Sequence, residues 1–177
     1  MNQRTRIKIC GVGREADVDA AVDAGADAVG FVFHPDSPRC LTVERAAALA
    51  DALPPYVTPV GLFVNASPDD IDAVLDAIPT LLLQFHGDET PEECALFGRP
   101  YLRAARMTSE LDLLDFARRF SEAQGLLLDA HVEGFGGGGK AFDWSLVPAG
   151  FPAESRRRLV LSGGLHAANV CEGILRV

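Results

Sequence analysis

Leu126-Leu127-Leu128-Asp129-Ala130-His131, followed by Gly136-Gly137-Gly138-Gly139-Lys140-Ala141-Phe142-Asp143-Trp144, is the stretch on which the fold turns. An apolar run of strand length ends in one carboxylate, and the loop behind it is too rich in glycine to pack a core. That is the form of a buried strand delivering an acid to a ligand. A turn-forming Asp with a linker behind it fits the same residues. The chain on either side bears on the choice.

The same rhythm repeats in both directions. Residues 6–10 read as a strand, and 15–24 as a helix with Ala16, Ala20, Ala21 and Ala24 at helical spacing and Gly25 as its C-cap. Residues 28–33 are a second strand, and Thr42 caps a helix over 43–53. A strand over 57–64 leads to a helix over 67–77, with Ser67 at the N-cap and Pro68 at N1. Strands over 81–85 and 101–105 precede helices over 91–97 and 109–120. After the strand 125–130 comes a short helix over 143–146, then a strand over 158–161 and a helix over 167–175.

Seven such units, with strands apolar at nearly every residue and joined by helical crossovers, imply an α/β fold with a parallel sheet covered on both faces. A doubly wound sheet should carry GxGxxG after its first strand, and Cys10-Gly11-Val12-Gly13-Arg14 offers only part of it. A (β/α)8 TIM barrel fits better. Its chemistry sits at the C-terminal ends of the strands, where this chain places Cys10, Arg39, Asn65, His86, Asp129 and Gly163-Gly164. The expectation is one barrel domain over residues 1–177, with the eighth strand–helix unit absent from the chain.

Composition narrows the class. With 177 residues and 48% hydrophobic content, the chain can bury a core as a single domain. A net charge of -9 argues against nucleic acid as a partner, and the basic run Arg156-Arg157-Arg158 reads as solvated loop. No long uncharged apolar stretch and no signal-peptide core are present, so the expectation is a cytoplasmic protein without a membrane partner. The cysteines Cys10, Cys40, Cys94 and Cys171 are scattered without a CxxC pair, which suggests neither a zinc site nor a disulfide framework. Cys40, Cys94 and Cys171 are most simply packing residues. Cys10 alone ends a strand, two residues after Lys8 and on the same strand face, although a small buried hydrophobe is the commoner fate of a free cysteine.

Six motifs carry a resemblance: Lys8-Ile9-Cys10-Gly11; Gly30-Phe31-Val32-Phe33 with Ser37-Pro38-Arg39; Val60-Gly61-Leu62-Phe63-Val64-Asn65; Gln84-Phe85-His86-Gly87-Asp88-Glu89; the stretch 129–144; and Leu161-Ser162-Gly163-Gly164-Leu165 with Asn169-Val170. In this order and at strand ends, the chain resembles the phosphoribosylanthranilate isomerases of tryptophan biosynthesis over nearly its whole length. It departs from them at Gly138, where Ser or Thr is usual, and at Phe85, where Leu is usual. The eighth unit, which in the family brings a Ser-Gly turn to the phosphate site, is also absent.

The resemblance implies an Amadori rearrangement of N-(5'-phosphoribosyl)anthranilate to 1-(2-carboxyphenylamino)-1-deoxyribulose 5-phosphate. Ring opening needs an acid and the double-bond shift needs a base. The matching positions are Asp129 as general acid and Cys10 as general base. Arg39 matches the position that holds the anthranilate carboxylate, and its planar fork suits that group; a solvated surface Arg is the alternative. Gly137, Gly138, Gly163 and Gly164 offer peptide N–H groups to the phosphate, with the helix expected near Ala167 adding its dipole, while plain loop glycines remain an alternative for the first pair. His86 either lines the site or makes a structural hydrogen bond. Proton transfer needs no metal or organic cofactor.

Two other readings stay open. Another phosphosugar isomerase or epimerase barrel would share the glycines without needing Arg39 or an aromatic slot. A non-catalytic scaffold would follow from the absent eighth unit. That absence also leaves open barrel edges with unpaired backbone groups, so the expectation is either self-association through them or a marginally folded chain.

Overall fold

The computed structural model describes residues 4–130, 141–156 and 158–177. The chain divides into two compact units, Met1–Gln84 and Phe85–Val177. Seven strands lie among the described residues.

In the first unit, β1 (Lys8–Cys10), α1 (Glu15–Asp23), β2 (Ala28–Val32), α2 (Val43–Asp51), β3 (Thr58–Phe63) and α3 (Pro68–Ala77) alternate and lead into β4 (Leu82–Phe85), whose last residue opens the second unit. β1 runs parallel to β2, with Cys10 opposite Gly30, and β2 runs parallel to β3, with Val32 opposite Leu62. The strands are parallel because each is joined to the next through a helix, and Val29, Phe31, Val60 and Phe63 are almost completely buried. The helix starts are fixed by local chemistry. Thr42 accepts from the Arg45 N–H, and Ser67 accepts from the Asp70 N–H with Pro68 behind it at the first turn.

In the second unit, α4 (Pro91–Ala95), β5 (Tyr101–Met107), α5 (Leu113–Arg119), β6 (Gly125–Ala130), α6 (Ala153–Arg156), β7 (Leu159–Leu161) and α7 (Val170–Arg176) follow one another, with a 3-10 turn at Trp144–Leu146. β6 pairs in parallel with β5 and with β7. All six of its residues are buried, as a central parallel strand requires. Leu128 packs with Ala105, Met107, Leu113, Val147 and Phe151 in one cluster.

Several boundaries differ from the sequence expectation. α5 begins at Leu113 rather than at residue 109, because the Asp112 carboxylate accepts from the Leu114 and Asp115 N–H groups while Thr108 to Leu111 close a separate turn. α7 begins at Val170, not near Ala167. The Asn169 side chain accepts from the His166 N–H and donates to the Gly164 carbonyl, which holds the preceding residues in a turn. Arg156 and Arg158 are not solvated loop either. Arg156 donates to the carbonyls of Pro148 and Ala149, at 3.1 Å each, and Arg158 to those of Ser121 and Ala123. Arg157 lies outside the described residues. Among the described residues, no helix is long and apolar enough to cross a membrane.

Candidate active site

Cys10 is the last residue of β1, and the alternation of a strand puts Lys8 on the same face. Both side chains lie over Gly30, the register partner of Cys10: a Cβ at Gly30 would sit 2.8 Å from Cys10 Sγ and 2.8 Å from Lys8 Nζ. Only a residue without a side chain leaves room for thiol and ammonium together. Gly11 follows at φ +80°, and its N–H donates to the Gly30 carbonyl at 2.8 Å. Arg39 folds across this residue, with Cδ and Nη1 each 2.7 Å from where a Gly11 Cβ would stand. Two glycines thus gather Lys8, Cys10 and Arg39, with Cys10 exposed to solvent. A thiol flanked by two cations can meet an anionic ligand.

The second unit builds its own group. Asp129, next to last in β6, is 6% exposed, and so is His86, which follows β4 directly. His86 Nε2 lies 2.9 Å from Asp129 Oδ2. On the other side, Asp129 Oδ1 fills the place of a Gly163 Cβ, 2.7 Å from where that atom would be. Gly163 has φ +78°, in the left-handed region that glycine enters at no steric cost. Gly164 continues the turn, its carbonyl held by Asn169 Nδ2 at 2.9 Å. Asp129, His86 and the Gly163 turn are therefore one constellation. Gly137 and Gly138 lie outside the described residues.

Opposite Asp129 in the β5–β6 register stands Arg106, paired with Asp88 at 3.2 Å. On the opposite face of β5 lies a residue that the sequence reading did not single out. Arg103 is 5% exposed and 3.4 Å from Glu89, itself buried. Burial pulls the Arg103 guanidinium below its ordinary range and the Glu89 carboxylate pushes back. The available signal was one cation inside the otherwise apolar run Tyr101–Ala105. Burial also pushes the nearby Cys94 thiol up to about 12, which fits the expected packing role. Cys40 and Cys171 are exposed, which corrects the same expectation for them. Among the described residues, no group of three or more His, Cys, Asp or Glu side chains is arranged to hold a metal ion.

A family model described as N-(5'phosphoribosyl)anthranilate (PRA) isomerase matches residues 7–176. The chain belongs to this family. N-(5'-phosphoribosyl)anthranilate isomerase of Methylibium petroleiphilum is 69% identical over 174 residues, covering 98% of this chain and 80% of the relative. That of Leptothrix cholodnii is 64% identical, covering 98% and 77%. A crystal structure of the isomerase from Thermotoga maritima matches with TM-score 0.85 at 38% identity, covering 98% of this chain and 84% of that one. A phosphoribosyl anthranilate isomerase solved in complex with reduced 1-(o-carboxyphenylamino)-1-deoxyribulose 5-phosphate matches with TM-score 0.81 at 36% identity, covering 98% and 83%. The fold is the α/β fold of these phosphoribosylanthranilate isomerases, a (β/α)8 barrel of which seven strands lie among the described residues. The chain is an isomerase of tryptophan biosynthesis.

Proposed function

We propose that Asp129 is the general acid and Cys10 the general base of the Amadori rearrangement of N-(5'-phosphoribosyl)anthranilate to 1-(2-carboxyphenylamino)-1-deoxyribulose 5-phosphate. The observation that carries the reading is the setting of Asp129, a buried carboxyl at a strand end with one oxygen on His86 and the other on the Gly163 turn. Protonated, Asp129 gives its proton to the ring oxygen as the bond from that oxygen to C1 breaks, and the nitrogen lone pair forms the C1–N double bond. The Cys10 thiolate then takes the proton from C2. The electrons of that C–H bond become the C1–C2 double bond, and those of the C–N double bond return to nitrogen. The enol so formed gives up its hydroxyl proton and gains one at C1, which yields the ketose. Protons and electrons balance without a redox partner.

Recognition follows from charge. Arg39, laid across Gly11 next to Cys10, suits the anthranilate carboxylate with its planar fork. The peptide N–H groups of Gly163 and Gly164, together with Gly137 and Gly138, are assigned to the phosphate. His86 lines the site through its bond to Asp129. The relative solved with the reduced deoxyribulose phosphate carries a ligand with these same two anionic ends. The test is the loss of anthranilate fluorescence on turnover. Wild-type chain should convert the aminoaldose, while Cys10→Ser and Asp129→Asn should bind the product yet turn over slowly. Near-wild-type turnover in either variant removes that residue from the mechanism.

A further inference from the structure

His86 stands just beyond the last residue of β4, where no regular structure holds the chain. Its neighbours are nevertheless tied on both sides. Arg103 Nη1 donates to the Phe85 carbonyl at 3.0 Å and Nη2 to the Gly87 carbonyl at 3.1 Å. The Gly87 N–H donates to Glu89 Oε2 at 2.9 Å, and that carboxylate lies 3.4 Å from Arg103 Nη1. One guanidinium and one carboxylate thus hold the peptides that bracket His86, and His86 in turn holds Asp129 Oδ2.

We infer that Arg103 and Glu89 are positioning residues for the proton transfer at Asp129, acting through His86. The inference rests on the reading of Asp129 as general acid. A purely space-filling role explains less. The Arg103 guanidinium lies against Phe120, 4.9 Å from the ring centre, where an uncharged Met or Leu would pack without the desolvation that a buried ion must overcome. What the charged pair supplies and an apolar side chain cannot is a two-pronged grip on the Phe85 and Gly87 carbonyls. The fork geometry matters because a lysine ammonium is a point donor and cannot reproduce that planar pair of contacts. The tolerance is narrow. A hydrogen bond of 2.9 Å is gone once its atoms part by about 1 Å, and a displacement of that size at a reacting group costs about 10²-fold in rate.

Arg103→Lys and Glu89→Gln test this in the full chain. The Gln keeps an oxygen for the Gly87 N–H and removes only the charge, so it carries the test if the Lys variant does not fold. Both should lower kcat about 10- to 100-fold with KM changed less than about threefold. In both, the His86 imidazole 15N signals, which report its bond to Asp129, should move away from their wild-type positions. In a His86→Ala background the same substitutions should lower kcat by no more than about twofold, because the element through which they act is gone. An equal loss of kcat with and without His86, or unmoved His86 signals in a folded variant, overturns the inference. The underlying reading fails separately, if Asp129→Asn retains turnover; the His86 signals then still show whether the pair positions His86.

Discussion

His86 Nε2 and Asp129 Oδ2 meet at 2.9 Å, although the two residues are 43 positions apart and each is 6% exposed. With Asp129 ionised, the imidazole N–H donates to the carboxylate. With Asp129 protonated on Oδ1, Oδ2 still accepts from that same N–H, and the acid proton is free to go to the substrate. The contact therefore survives a cycle in which Asp129 gives up and regains a proton, and the carboxyl keeps its orientation throughout. Asp129→Asn should remove the proton while keeping most of the shape. We expect kcat to fall by about 10² to 10⁴ with little change in product affinity, measured by steady-state turnover and fluorescence titration. A rise in KM with kcat unchanged would make Asp129 a binding residue instead.

Gly163→Ala tests the other face of that carboxyl. The added Cβ would stand 2.7 Å from Asp129 Oδ1 and 2.8 Å from the Ala130 backbone nitrogen, at φ +78°. The backbone cannot yield as a flexible side-chain tip can, so both strain and displacement follow. The left-handed conformation alone disfavours alanine by about 1–2 kcal/mol. We expect a stability loss of at least that order in urea melts and, at temperatures where the protein is folded, a fall in kcat. An Ala variant with wild-type kcat would show that the Asp129 orientation tolerates the shift.

Gly30→Ala is the matching change at Cys10. Lys8 can swing its long side chain clear, whereas the Cys10 sulfur, 2.8 Å from the new Cβ, has one rotatable bond and must turn away. The expected outcome is a fall in kcat of about tenfold or more, with an altered rate of Cys10 alkylation by iodoacetamide. Unchanged alkylation and turnover would mean that the thiol has room that the geometry does not show.

How much of this was legible in the sequence depended on how local the cause was. The caps at Thr42 and at Ser67 with Pro68 are one-turn chemistry, and the helices start where those residues say. At α5 both Ser109 and Asp112 are competent caps; Asp112 wins because its carboxylate reaches two N–H groups. The strand-end positions of Cys10 and Asp129 were legible because each closes a run of strand length, and the structure ends β1 at Cys10 and β6 one residue after Asp129. The grip of Arg103 on Phe85 and Gly87 was not. Its partners lie 16 and 18 residues away across a crossover, and no periodicity marks which carbonyls a buried guanidinium will find.

Arg39→Ala should weaken binding of the anthranilate-bearing product by roughly 1.5–3 kcal/mol, the range for a hydrogen bond to a charged group, and leave inorganic phosphate binding nearly unchanged. Gly11→Ala should mimic it in part, since the new Cβ would stand 2.7 Å from Arg39 Cδ and Nη1. Calorimetric titration of both ligands decides the matter. Equal loss of both would mean that Arg39 acts by general charge.

Cys94 supplies a pH prediction with a definite sign. It is fully buried beside Glu89 and Glu93, and its thiol is pushed from 9.0 up to about 12, mostly by burial. The unfolded chain therefore loses this proton near pH 9, while the folded chain keeps it until about pH 12. Between those values the folded state binds more protons, so stability falls as pH rises. The contribution is fully present below about pH 9 and gone above about pH 12. Cys94→Ala opens a small cavity and lowers stability at neutral pH, but it removes this titration. Urea melts of wild type and Cys94→Ala at pH 7, 9 and 10.5 should show the gap between them narrowing as pH rises. A gap that stays constant across that range would mean that the Cys94 thiol titrates alike in the folded and unfolded chains.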